Sequence, residues 1–292
     1  MTMPDQPPVQ DSSAKQSIPP KPDTVADDKL LDDDSVGLTF EVVEEERTQE
    51  GQKVRSRGIY LVPNAITTAA LLSGFYSIIA STNGQFVHAI LAIFLAGLLD
   101  GMDGRAARML NAQSPFGEQF DSLSDMLSFG VAPAILVYSW ALAPLGRIGL
   151  ACAFIFTACA AFRLARFNVQ IAAVDKRYFI GLASPLAAIL LASGVWVGLD
   201  NPEWFDRSEI LVLLLFAALS VISGLLMISN VKYFSFKQLD RQRVPFAVML
   251  PIVLILVAIT YDIPIGIFAV AVIYAASGIV ATLQTRFLQK KT

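Results

Sequence analysis

The sequence has little of what most soluble enzymes use for catalysis. Its 292 residues include one histidine and two cysteines, and only 16% are charged. It contains no Walker A loop, no Gly-x-Ser-x-Gly elbow and no histidine-rich metal set. The basic residues are spread along the chain, so we also expect no nucleic-acid partner. These absences exclude P-loop nucleotide hydrolysis, serine-esterase chemistry and histidine-based zinc chemistry.

Apolar residues predominate over charged ones in this chain. They make up 54% of the chain, and the mean hydropathy is +0.56, whereas soluble domains carry roughly 25% charged residues. We therefore predict an all-α integral membrane protein, a polytopic bundle of about eight transmembrane helices of roughly 20 residues each. The predicted helices are 64–81, 86–110, 120–142, 148–167, 178–199, 210–228, 244–261 and 264–287.

Charge divides the chain into segments. Residues 1–50 hold 13 acidic and 4 basic residues, whereas residues 51–292 hold 12 and 18. The first segment is also rich in Pro, Gln and Ser, and it has too few apolar residues to offset the entropy of ordering. We predict an acidic, mostly disordered tail over 1–50, a basic juxtamembrane segment over 51–63 and a membrane domain over 64–288.

The loop charges predict the orientation. Sixteen lysines and arginines fall on one side of the predicted bundle, and only Arg147 and Arg207 fall on the other. Because short cytoplasmic loops carry the excess of Lys and Arg, both termini are predicted to be cytoplasmic.

Four aspartates are the most informative polar residues. Asp100 and Asp103 share a helical face with Gly104, Ala107 and Arg108, because these residues follow a spacing of three and four. Asp121 and Asp125 share a face of the next predicted helix. Four converging carboxylates would repel one another unless they bound cations, and their oxygens suit Mg²⁺ or Mn²⁺.

The depth of these aspartates helps to separate two functions. Asp100 is the fifteenth residue of a helix that enters from the outer side, so it lies roughly 21 Å in, towards the cytoplasmic interface. An enzyme acting on an amphiphilic substrate would use such a site. A divalent-cation transporter, the alternative function class, would place carboxylates near the midplane of the membrane, often in two repeats.

The pattern Asp100-x2-Asp103-Gly104-x2-Ala107-Arg108-x8-Gly117-x3-Asp121-x3-Asp125 resembles the complete signature of the CDP-alcohol phosphotransferases. The resemblance implies that an alcohol displaces CMP from a CDP-linked lipid, with two divalent metal ions held by the four aspartates. It also implies that Asp125 is the general base. The residues that it places at the CDP nucleotide are Gly104, Ala107, Arg108 and Gly117.

The first helix adds two candidate contacts to the nucleotide. In this family the residues that match Asn64 and Thr67 lie beside the nucleotide. The alternative is structural, with Asn64 capping the helix and Thr67 packing inside the bundle.

Three further segments narrow the acceptor. Residues 124–134, 162–168 and 178–185 resemble the integral-membrane phosphatidylserine synthases, a branch of this family, apart from Ala183, where a proline is expected. The resemblance implies CDP-diacylglycerol and L-serine as substrates, a homodimer, and a bacterial inner membrane with a cytoplasmic active site. Glycerol 3-phosphate, inositol phosphate and choline remain alternative acceptors.

Arg163 and Arg166 are the candidate residues for binding the acceptor. They lie three residues apart on one helical face and could bind the serine carboxylate or a phosphate. The alternative is that both anchor the helix at the cytoplasmic surface.

Overall fold

The fold is an all-α helical bundle with one short pair of strands. The computed structural model describes residues 61–110, 112, 114–170, 179–206, 209–233 and 262–289. The predicted acidic tail, most of the juxtamembrane segment and the predicted helix 244–261 lie outside the described residues. The helices are α1 (Leu61–Thr82), α2 (Phe86–Met109), α3 (Pro115–Asp125), α4 (Ala132–Val137), α5 (Arg147–Gln170), α6 (Ser184–Asp200), α7 (Ile210–Ile228) and α8 (Ile263–Gln289).

Five segments of the described chain are long and apolar enough to cross a membrane, in agreement with an integral membrane protein. They are Leu61–Thr82, Phe86–Met109, Pro115–Leu145, Arg147–Val169 and Ile210–Ile228. Two shorter apolar helices, Ser184–Asp200 and Ile263–Gly278, accompany them. The all-α class is confirmed, whereas the count of eight spans stays a prediction.

The third span lies at the centre of the bundle. Of its apolar window, 61% is buried, more than in the other four spans, and its parts contact α1, α2, α5, α6 and α7. Its helix begins at Pro115, five residues before the predicted start at Phe120, because Ser114 caps it. The Ser114 hydroxyl accepts a hydrogen bond from Gly117 N–H at 3.0 Å, and Pro115 occupies the first turn, a combination typical of helix starts.

Two wider, π-helical turns interrupt this span. They cover Met126–Val131 and Tyr138–Leu142, on either side of α4. Such turns are rare and often occur at functional sites. The first one starts directly after Asp125, and nothing in the hydrophobic pattern indicates it.

Buried hydroxyl groups join the first three spans. On α1, Ser73 donates to Ala92 O at 2.8 Å and Ser77 donates to Ala89 O at 2.9 Å, which ties α1 to α2. From the third span, Ser128 donates to Ala70 O at 3.2 Å. Small polar residues allow such close packing of membrane helices.

The predicted helix 178–199 begins too early. Phe179–Ile180 is instead a strand, β1, that pairs antiparallel with β2, Lys232–Tyr233. Gly181 follows with a φ of +82°, a conformation that favours glycine, and α6 starts only at Ser184. The apolar run could not reveal this turn, because its residues suit a strand and a helix equally.

Gly74 marks a close approach between α1 and the third span. A Cβ added at Gly74 would lie 2.8 Å from the Cα of Ser128, whereas one added at Gly101 on α2 would meet nothing within 4 Å. We predict that Gly74→Ala forces the two helices apart and lowers the thermal unfolding temperature in detergent by several degrees. Gly101→Ala, the matched control, should not lower that temperature, because alanine is a better helix former than glycine. Equal stability of the two variants would contradict the tight packing.

Candidate active site

The four aspartates converge where α2 passes α3. One carboxylate oxygen from each of Asp100, Asp103 and Asp121 lies within 4.8 Å of the other two. Asp125 shares a hydrogen bond with Asp100. Unit charges this close repel by roughly 3 kcal/mol per pair at an effective dielectric constant of about 20. The arrangement therefore requires protons or cations to offset the repulsion.

The donor set fits a divalent cation. Asp121 Oδ1 is buried and has no hydrogen-bond partner among the described residues, although buried carboxylate oxygens are normally satisfied. It belongs to an all-oxygen cluster of the kind that Mg²⁺ and Mn²⁺ prefer. Asp100, Asp103 and Asp121 could hold such an ion directly, with Asp125 beside them.

Thr67, on α1, holds the Asp103 carboxylate of the cluster in place. Only 4% of Thr67 and 5% of Asp103 is exposed, and the Thr67 hydroxyl lies 2.7 Å from Asp103 Oδ2 and 3.1 Å from Pro63 O. The carbonyl oxygen of Thr67 accepts a hydrogen bond from Ser124 at 3.3 Å. Because Ser124 precedes Asp125, one residue of α1 contacts both helices that carry the aspartates.

A cavity of about 200 Å³ opens beside the cluster. All six residues that the sequence proposed for the nucleotide line it, together with two of the aspartates. These eight residues are Asn64, Thr67, Gly104, Ala107, Arg108, Gly117, Asp103 and Asp121. The structure thus gathers residues from three helices around one space, next to the carboxylates.

The two glycines of the motif differ in their surroundings. A Cβ at Gly117 would lie 3.2 Å from Ser114 Oγ and 3.4 Å from Asn64 Oδ1, so a side chain there would crowd the cavity wall. At Gly104 the nearest atom would be Arg108 Nη1 at 3.9 Å. Asn64 lies within α1, as its fourth residue, so it is not the residue that caps the helix.

Arg163 and Arg166 have different partners. Arg163 is close enough to Asp125 for charge attraction, and its Nη1 donates to Ser184 Oγ at 2.8 Å. Arg166 donates to Ile228 O at 3.4 Å, at the C-terminal end of α7, and to Asn230 Oδ1 at 2.9 Å, just beyond that end. These hydrogen bonds of the two arginines therefore run to different helix ends.

Several residues of the site were missed by sequence reasoning. Ala112, Ser114 and Glu118 also line the cavity, and the Ser-Pro pair at 114–115 carried a recognisable capping signal. Ser184 lies in the segment 178–185 that resembles the phosphatidylserine synthases, but its contact with Arg163 could not be predicted, because that contact depends on how two distant helices pack.

The comparisons with known proteins agree with this geometry. A family model described as CDP-alcohol phosphatidyltransferase matches residues 60–222, a range that contains the four aspartates, the cavity, Arg163 and Ser184. The chain is also similar to several curated proteins named CDP-diacylglycerol–serine O-phosphatidyltransferase.

Three of these relatives cover a wide range of organisms. The one from Helicobacter pylori (strain ATCC 700392 / 26695) is 40% identical over 180 residues, which are 62% of this chain and 74% of the relative. The one from Bacillus subtilis (strain 168) is 38% identical over 130 residues, 44% of this chain and 72% of the relative. The one from Methanocaldococcus jannaschii is 33% identical over 177 residues, 61% and 75% of the two chains.

The hydrogen bond from Thr67 to Asp103 should affect the affinity of the cluster for metal. Thr67→Val keeps the shape of the side chain but removes the donor to Asp103, so we expect Mn²⁺ affinity to fall on the order of 10-fold to 100-fold. Thr67→Ser should restore most of it. Thr68→Val is the control, because Thr68 is exposed and its hydroxyl donates to Asn64 O of its own helix. Electron paramagnetic resonance of free Mn²⁺ measures the affinity, and unchanged binding by Thr67→Val would contradict this role of the hydrogen bond.

Proposed function

This chain belongs to the CDP-alcohol phosphatidyltransferase family, and on that premise we propose that it transfers the phosphatidyl group of CDP-diacylglycerol to L-serine, giving phosphatidylserine and CMP. The observation that carries the proposal is an acidic cluster that adjoins a cavity lined by motif residues and is close enough to a cation, Arg163, for charge attraction. The choice of serine is supported by the names of the similar proteins.

The proposed cofactors are two divalent ions, Mg²⁺ or Mn²⁺, held by the four aspartates. Asp100, Asp103 and Asp121 bring their oxygens together, and Asp125 adjoins Asp100. Bound there, the ions would neutralise the pyrophosphate and the charge that develops on the transferring phosphoryl group.

The proposed nucleotide site is the cavity next to the cluster. Arg108 offers a planar fork of donors for phosphate, and Asn64 and Thr67 form the wall contributed by α1. Gly104, Ala107 and Gly117 have small or absent side chains, so the backbone can approach the ligand closely.

In the proposed reaction the serine hydroxyl oxygen bonds to the β-phosphorus of CDP-diacylglycerol. The bond from that phosphorus to the bridging oxygen of the pyrophosphate breaks, and CMP leaves with this oxygen. Asp125 takes the proton of the hydroxyl. Its hydrogen bond with Asp100, which places it at the proposed metal site, supports this role.

Arg163 is the proposed anchor for the acceptor. In serine the carboxylate and the hydroxyl are attached to neighbouring carbons, so a cation that binds the carboxylate must lie close to the base that serves the hydroxyl. Arg163 meets this requirement, whereas the hydrogen bonds of Arg166 run to the end of α7. We therefore assign acceptor binding to Arg163. Arg166 has a structural role, because it links α5 to the C-terminal end of α7.

Other acceptors are less well matched to these residues. Choline is usually recognised by aromatic rings rather than by arginine. Glycerol 3-phosphate and inositol phosphate carry a dianion, which one arginine would neutralise only in part. The loop charges support a cytoplasmic active site, and the similar proteins from bacteria support the proposed location in a bacterial inner membrane.

Substitution of Asp125 tests the base. Asp125→Asn keeps the size of the side chain but cannot accept the proton, so we expect kcat to fall about 100-fold to 10,000-fold. CMP release measures turnover, and retained binding of labelled CDP-diacylglycerol checks that the variant is folded. Asp200→Asn, at the exposed end of α6, is the control and should keep full activity. Turnover by Asp125→Asn within tenfold of the unaltered protein would exclude Asp125 as the base.

Substitution of Arg163 tests the acceptor site. Arg163→Ala removes a charged donor to the serine carboxylate, so the KM for L-serine should rise about tenfold or more, while the KM for CDP-diacylglycerol changes little. Arg166→Ala should lower the unfolding temperature but leave the KM for serine unchanged. A serine KM that does not respond to Arg163→Ala would remove this residue from the acceptor site.

A further inference from the structure

We infer that Ser184 is a positioning residue for acceptor recognition, because its buried hydroxyl holds the guanidinium of Arg163, the proposed acceptor anchor. The inference rests on the proposed role of Arg163 in binding serine. Ser184 is the first residue of α6 and is 0% exposed. Its hydroxyl accepts the hydrogen bond from Arg163 Nη1 at 2.8 Å.

The chemistry of this contact favours anion binding. A hydroxyl fixes the direction of the guanidinium without neutralising its charge, whereas a carboxylate partner would do both. Arg163 Nε is buried and has no hydrogen-bond partner among the described residues. Its N–H group is therefore still available to donate to a ligand. Within the described part of the chain, Arg163 is thus oriented by a neutral group and keeps its charge for a ligand.

Backbone hydrogen bonds fix the position of Ser184. Ahead of it, Gly181 N–H donates to Val231 O at 2.9 Å and Leu182 N–H donates to Leu226 O at 3.0 Å. A Cβ at Gly181 would overlap the carbonyl oxygen of Met227, so the turn lies directly against the end of α7. Together with the pairing of β1 and β2, these contacts dock the start of α6 on α7.

The helix that carries Arg163 is tied to the same end of α7. Arg166, one turn further along α5, donates to Ile228 O and Asn230 Oδ1. Both partners in the Arg163–Ser184 contact therefore sit on elements bonded to one support. The separation of the two residues is set by the fold rather than by the reach of a flexible side chain.

Loss of the Ser184 hydroxyl should free the guanidinium. It could then turn towards Asp125 and pair with the base, at the expense of the acceptor. Because hydrogen bonds to charged groups contribute about tenfold or more in binding, we expect Ser184→Ala to raise the KM for L-serine about tenfold. The KM for CDP-diacylglycerol should stay unchanged, which a general loss of structure would not allow.

The experiment compares the steady-state kinetics of four variants of the full chain: Ser184→Ala, Ser193→Ala, Arg163→Ala and the double variant Ser184→Ala/Arg163→Ala. Ser193 is the matched control, since it is 0% exposed in the same helix and donates to Ile189 O of that helix at 2.6 Å. Ser193→Ala should leave both KM values unchanged. In the double variant, the loss of the Ser184 hydroxyl should have no further effect on the KM for serine.

The outcomes separate this inference from the proposed function. If Arg163→Ala raises the KM for serine and Ser184→Ala does not, Ser184 has no positioning role and the proposed function stands. If Arg163→Ala leaves that KM unchanged, this inference and the acceptor role of Arg163 both fail, whereas serine-dependent CMP release by the unaltered chain would still support the proposed transfer. Equal effects of Ser184→Ala with and without Arg163 would also overturn the inference. Ser184→Cys, which is similar in size but a weaker acceptor, gives the same comparison if Ser184→Ala does not fold.

Discussion

Repulsion among carboxylates within a membrane-spanning bundle is the constraint on which the rest of this structure depends. Three aspartate oxygens within 4.8 Å of one another can persist only if neighbouring residues hold the helices in place. The hydroxyls of Thr67, Ser124 and Ser128 do so by bonding α1 to Asp103 and to the third span. Thr67 and Ala70 of α1 therefore help to position the aspartates, although neither residue is charged.

Two groups of residues adjoin this cluster. The cavity residues come from α1, α2 and the start of α3. Arg163 comes from α5 and is oriented by Ser184 at the start of α6, so its position depends on the packing of α5, α6 and α7. Separate groups around a shared cluster would let one family keep its nucleotide chemistry while its acceptor changes.

The sequence indicated which residues would lie together at the cavity, but not which contacts Arg163 and Arg166 would make, for a physical reason. Residues spaced by three and four on one continuous helix must share a face, so the grouping of Asp100, Asp103 and Arg108 followed from α2 alone. The start of α6 depends on Gly181 fitting against α7, and the partners of Arg163 and Arg166 depend on contacts between distant helices. Helical periodicity holds no information about such contacts, and it gives no sign of the π-helical turn after Asp125.

The proposed transfer of a phosphatidyl group to L-serine is tested most directly by CMP release from the purified protein in detergent. The assay contains CDP-diacylglycerol, Mn²⁺ or Mg²⁺ and one acceptor at a time. L-Serine, glycerol 3-phosphate, inositol, inositol phosphate and choline would be offered separately. We expect metal-dependent CMP release with L-serine and with no other acceptor. Release with a different alcohol alone would contradict the assigned acceptor. No release with any acceptor, from folded protein that still binds Mn²⁺, would contradict the enzyme assignment and favour cation transport.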